Sequence, residues 1–74
     1  MTTPFHLAVS IVIEECAELT QTLIIADRVG WLSGHPRTNL DNVRHEMEDV
    51  VEAIKQLGGH LQLPDVAPPP RRKY

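Results

Sequence analysis

The stretch PFHLAVSIVIEECAELTQTLIIADRV, residues 4–29, decides the fold. Phe5, Val9, Val12, Cys16, Leu19, Leu23 and Ala26 follow one another at alternating intervals of four and three, which draws one apolar stripe along an α-helix. Thr3 supplies an N-cap hydroxyl, Pro4 suits the first helical position and Gly30 suits a left-handed cap after the last turn. A helix over residues 4–29 is therefore predicted.

Working outward, GWLSGHPRT over residues 30–38 carries two glycines and a proline and reads as a loop. A second stripe follows at Leu40, Val43, Met47, Val50, Ile54, Leu57 and Leu61, again alternating three and four. Thr38 or Asn39 caps its start, and the helix is expected to fade around Gly58 and Gly59. The two helices form a hairpin domain over residues 1–63. PDVAPPPRRKY, residues 64–74, lacks periodicity and reads as an extended, disordered tail.

The expected fold is all-α. A lone chain of 74 residues buries little more than ~60% of its unfolded surface. Ile11, Ile13, Ile24, Ile25, Val51 and Ala53 lie outside both stripes, so a two-helix hairpin leaves apolar surface uncovered. Pairing in a homo-oligomer, as a four-helix bundle, is expected to cover it.

Composition narrows the function classes. A formal net charge of −3, with the one basic run at Arg71–Lys73, argues against nucleic-acid binding, which needs a clustered basic face. A single cysteine builds no disulfide framework, and metal-binding CxxC spacing is absent. The apolar run Leu7–Ile13 is too short to span a bilayer and has no basic segment before it. A soluble, cytoplasmic protein is expected, with no membrane partner.

The acidic residues carry the chemistry. Glu14, Glu15 and Glu18 crowd into an otherwise apolar run, and no lysine or arginine precedes Arg28. Glu15 and Glu18 share a helix face one position before Cys16 and Leu19; Glu46 and Asp49 do the same before Met47 and Val50. An antiparallel hairpin can bring these two i,i+3 pairs opposite one another, with a turn or so of mismatch for the helix ends or loop to absorb. Like charges at that spacing destabilise a helix, so a compensating cation is expected. Carboxylates without histidine or cysteine suit hard ions, Mg2+ or Mn2+, and Mg2+ held this way commonly bridges to substrate phosphates. Ordinary solvent-facing acids on a coiled-coil flank are the competing reading.

EECAEL, residues 14–19, followed by NVRHEMEDVVEAIKQL, residues 42–57, resembles the MazG-like nucleotide pyrophosphohydrolases, whose hallmark is EExxE followed at moderate distance by ExxD. The likeness spans roughly Phe5 to Leu61. It implies an all-α dimer or dimer of dimers that cleaves a nucleoside triphosphate between its α and β phosphates, with Mg2+, to a nucleoside monophosphate and pyrophosphate. By the matching positions, Glu15, Glu18, Glu46 and Asp49 would hold the ion, and Glu14 would assist a second ion or orient the attacking water. The chain is short against the family pattern: the additional helices that many members close over the base are missing. A phosphoribosyl-ATP pyrophosphohydrolase and a catalytically silent dimerisation or regulatory module are the alternatives.

Arg28, Arg37, Arg44 and Lys55 are candidate triphosphate contacts, although Lys55 could simply pair with Glu52 at i,i+3. Trp31 could stack on a nucleobase or cap a hydrophobic core. The substrate-binding set is read as Arg28, Trp31 and Lys55. Cys16 falls in the stripe and reads as a small buried residue. His45 and Glu46 begin a zinc-protease-like HExxH that fails at Asp49, and Glu-x-x-His, wanted by a di-iron bundle, does not occur.

Overall fold

The computed structural model describes residues 3–62, so the tail expected over 64–74 lies outside the described residues. Two helices pack antiparallel against each other: α1, Pro4–Val29, and α2, Asn39–His60. Among the described residues there is no strand, and no helix is long and apolar enough to cross a membrane.

Local chemistry sets the boundaries. The Thr3 hydroxyl accepts the His6 N–H at 3.1 Å, and Pro4 opens the first turn where its missing N–H costs nothing. At the other end the Gly30 N–H donates to the Ala26 carbonyl at 3.0 Å. Gly30 has φ 124 and ψ 137, an exit in a positive-φ conformation that favours glycine but lies outside the left-handed helical well that the sequence suggests. That exit turns its carbonyl toward α2, where the Asn39 side-chain amide donates to it at 2.7 Å. The Asn39 and Leu40 N–H groups, orphans of the helix start, donate to the Ser33 and Trp31 carbonyls, each at 2.8 Å. The Thr38 hydroxyl caps α2 by accepting the Asp41 N–H at 3.2 Å. The loop is thus hydrogen-bonded onto the helix it introduces.

α2 does not fade at Gly58 and Gly59 but continues to His60, with the Leu61 N–H on the Leu57 carbonyl at 3.1 Å. Tertiary packing overrides the weak propensity of the glycines. Gly58 is buried, and the Phe5 ring stands edge-on to His60 at 6.3 Å, tying the last turn of α2 to the first turn of α1.

Among the described residues the buried hydrophobic side chains are Ala8, Ala26, Val43 and Ala53, and no large side chain is fully enclosed. Alanine at most of these positions lets the helices approach closely. The stripes read from the sequence are split lengthwise. Val12, Leu19, Val50 and Leu57 are half-buried between the helices, whereas Cys16, Leu23, Met47 and Ile54 are exposed. The expectation that Cys16 is buried is corrected for the single chain, because a two-helix hairpin covers only one edge of each stripe. Ala53, outside the stripe in the sequence, is at the contact instead.

Gly34 is the most constrained loop position: its φ is 114, and a Cβ there would lie 2.5 Å from the Arg37 carbonyl oxygen. Gly34→Ala is expected to lower stability by about 1–3 kcal/mol, read from the urea unfolding midpoint. An unchanged midpoint would contradict the loop geometry.

Candidate metal centre

Five acidic residues on two helices determine the chemistry at mid-hairpin. α1 carries Glu14, Glu15 and Glu18, and α2 carries Glu46 and Asp49. Because the helices run antiparallel, the first pair, Glu15 and Glu18, meets Glu46 of the second. One carboxylate oxygen from each of Glu15, Glu18 and Glu46 falls within a set whose members all lie within 4.8 Å of one another. Glu15 and Glu46 stand between the helices, half-buried, and are not merely beside the apolar stripe. Glu18 is exposed, and Glu14 is exposed on the same flank. Asp49, half-buried, stands just outside the triad. It lines a cleft of about 280 Å³ with Ile11, Glu15, Glu52, Ala53 and Gln56.

The electrostatics are unbalanced. Burial pushes the Glu15 carboxyl above its usual value, and the charges of Glu18, Asp49, Glu46 and Glu14 push in the same direction. Glu46 is raised for the same leading reason, then by the charges of Glu18 and Asp49 and by a side-chain hydrogen bond with the Glu18 carboxyl, with His45 acting the other way. Among the described residues, the basic side chain within ion-pair distance of these acids is His45, whose Nε2 lies 3.4 Å from an Asp49 oxygen on the exposed side. Arg44 turns instead to Asp41, at 4.0 Å. The Oε2 atoms of Glu15 and Glu46 are closed off from solvent and have no hydrogen-bond partner.

No family model, curated protein or solved structure matches this chain. The site is therefore argued from its own donors. Two orphaned carboxylate oxygens with a third beside them form an all-oxygen set that suits Mg2+ or Mn2+. Oxygens on opposite sides of Mg2+ stand ~4.2 Å apart, against a set whose members lie within 4.8 Å of one another.

The residues expected to hold substrate are placed elsewhere on the chain. Trp31 lines a shallow depression at the loop end with Leu23, Ile24 and Asp27. Arg28, in the last turn of α1, is about 15 Å along the helix from Glu18. Lys55 lines a groove on the outer side of α2 with Arg44, Met47 and Val51, and the recorded partner of Glu52 is not Lys55 but Gln56, at 3.5 Å. A single chain therefore does not gather Arg28, Trp31 and Lys55 around the carboxylates. Glu52 and Gln56, which the sequence reading passed over as site residues, do flank them; the signal was their phase, three and seven residues after Asp49.

The raised carboxyls set the sign of a pH dependence. Between the unperturbed value of 4.5 and the raised values, the folded chain binds more protons than the unfolded one, so stability falls as pH rises through that window. In chelator, the melting temperature is expected to drop as pH rises above about 4.5, and Glu46→Gln is expected to flatten the slope and melt higher at neutral pH. A melting temperature that climbs through the same range would contradict the assignment.

Proposed function

We propose that the chain is a metal-dependent nucleoside triphosphate pyrophosphohydrolase, cleaving between the α and β phosphates. The observation that carries the reading is the convergence of Glu15, Glu18 and Glu46, with Asp49 beside them, around two buried carboxylate oxygens that lack a partner. The acidic pattern Glu14, Glu15, Glu18, then Glu46 and Asp49, is that of the MazG-like enzymes, and the hairpin brings its two halves to one place. Glu15, Glu18, Glu46 and Asp49 would hold Mg2+ or Mn2+, which when bound neutralises phosphate charge and polarises the scissile anhydride. Glu14, on the exposed flank, would assist a second ion or orient the attacking water. The cleft lined by Asp49, Glu52 and Gln56 offers the adjoining space. We infer that the working unit is a homo-oligomer, since thirteen large apolar side chains, from Phe5 to Leu61, are exposed on the single chain.

A panel of nucleoside triphosphates, assayed for pyrophosphate release with Mg2+ and with Mn2+, tests the reading. Release from at least one is expected, and loss of it in both Glu46→Gln and Asp49→Asn with helicity retained. Mg2+ at a hundred times its dissociation constant should stabilise the parent by ~2.7 kcal/mol and leave Glu18→Gln unmoved. Activity surviving Asp49→Asn would place the site wrongly. A parent inactive on the whole panel would favour the alternative of a silent helical module, for which the distance of Arg28, Trp31 and Lys55 from the carboxylates speaks.

A further inference from the structure

Glu15 and Asp49 occupy one end of the cleft they share with Ile11, Glu52, Ala53 and Gln56. The cleft continues away from the loop. On α2, Glu52 lies one turn beyond Asp49 and Gln56 a further turn on, ~10 Å along the axis from Asp49. On α1, Ile11 lies one turn before Glu15, which in an antiparallel pair is the same direction. The distal part is therefore lined by two apolar side chains, Ile11 and Ala53, and edged by two polar ones, Glu52 and Gln56.

Charge decides which end of a nucleotide this part can take. Among the described residues, no lysine, arginine or histidine lines the cleft, and a carboxylate at Glu52 repels phosphate, so a triphosphate is left to the carboxylates that would carry the metal. What remains for the distal part is the nucleoside. At about 280 Å³ the cleft is at the small end of ligand sites, which combine apolar lining with a few placed polar groups. That suits a flat, uncharged ring laid against Ile11 and Ala53 with its hydrogen-bonding edge turned to Glu52 and Gln56.

The donors and acceptors of that edge select the ring. A carboxylate offers two acceptor oxygens and no donor, and a glutamine amide supplies N–H donors. The Gln56 Nε2 donates to Glu52 Oε1 at 3.5 Å, the outer limit of a hydrogen bond and readily exchanged for a ligand. Glu52 also borders the outer groove with Lys55, but this hydrogen bond is with a residue of the cleft. The pair thus presents two acceptors beside one donor. Among the common bases guanine alone has the complement, two adjacent donors, N1–H and the N2 amino group, beside the acceptor O6. Adenine and cytosine set a ring acceptor next to their amino group, which would face a carboxylate oxygen with no proton between them. Uracil and thymine have one ring N–H between two carbonyls. A buried polar edge left unpaired in this way is what rejects the wrong ring.

We propose that Glu52 and Gln56 read the base and that the substrate class is a guanine nucleotide, with Glu52 accepting from N1–H and N2–H and the Gln56 amide donating to O6. This assignment rests on the pyrophosphohydrolase reading and names its substrate. Relative kcat/KM for pyrophosphate release with Mg2+, measured for the guanine, hypoxanthine, adenine, cytosine and uracil nucleoside triphosphates in ribose and deoxyribose forms, tests it. Hypoxanthine keeps O6 and N1–H but lacks the 2-amino group. Guanine is expected to exceed adenine, cytosine and uracil by ~10- to 100-fold, with hypoxanthine between. Glu52→Gln, at an exposed position where the helix tolerates it, replaces one acceptor by a donor and is expected to remove the guanine preference with helicity retained. Gln56→Glu, which removes the donor facing O6, is expected to lower the guanine-to-adenine ratio as well. Equal turnover of the five bases, preference for another base, or a Glu52→Gln variant that keeps the guanine preference overturns the assignment and leaves the pyrophosphohydrolase reading standing. Release from none of them overturns both.

Discussion

The meeting of Glu15 with Glu46 between two closely packed helices is the constraint on which the rest of the structure depends. Small side chains at Ala8, Ala26 and Ala53 draw the helices together, and that closeness closes off one oxygen of each carboxylate from water. Burial and mutual repulsion then act on the same two groups and in the same direction. A chain selected only for a stable hairpin would carry leucine or alanine at these positions, since paired burial of acids without counter-charge is unfavourable. On the proposed reading, a cation completes this set.

The loop, held by Asn39 on Gly30 and by the N–H groups of Asn39 and Leu40, sets the level at which α1 and α2 lie, and therefore which carboxylates face each other. The acidic face retains an open cleft beside Asp49. Phe5, Leu23, Met47, Val51 and Ile54 are exposed on the single chain, and with four hydrophobic side chains buried among the described residues a lone hairpin has little core of its own. Self-association through these residues would supply the missing core.

Both helices, the Thr3 and Thr38 caps and the loop were legible in the sequence because each depends on local chemistry: spacing of apolar residues, cap hydroxyls and glycines. The end of α2 lies at His60, one residue past the glycines, and the edge-on contact of Phe5 with His60, between residues far apart in the chain, was not legible in the sequence. Cys16 and Met47 show the same limit. Their spacing marks them as members of a packed stripe, but a two-helix hairpin covers only one edge of that stripe and leaves both exposed. At the site, the phase of Glu15 and Glu46 gave away a shared location. Which oxygens are enclosed, and that Glu52 and Gln56 border the cleft, depends on helix approach and could not be read from spacing.

The central claim is that the hairpin's converging acids form one cation site. Calorimetric titration with Mn2+ of the intact chain, beside a Glu15→Gln, Glu46→Gln double variant, tests it most directly. The predicted result is saturable binding by the parent and its loss in a variant of unchanged helicity. Equal binding by both proteins, or none by the parent, would contradict it.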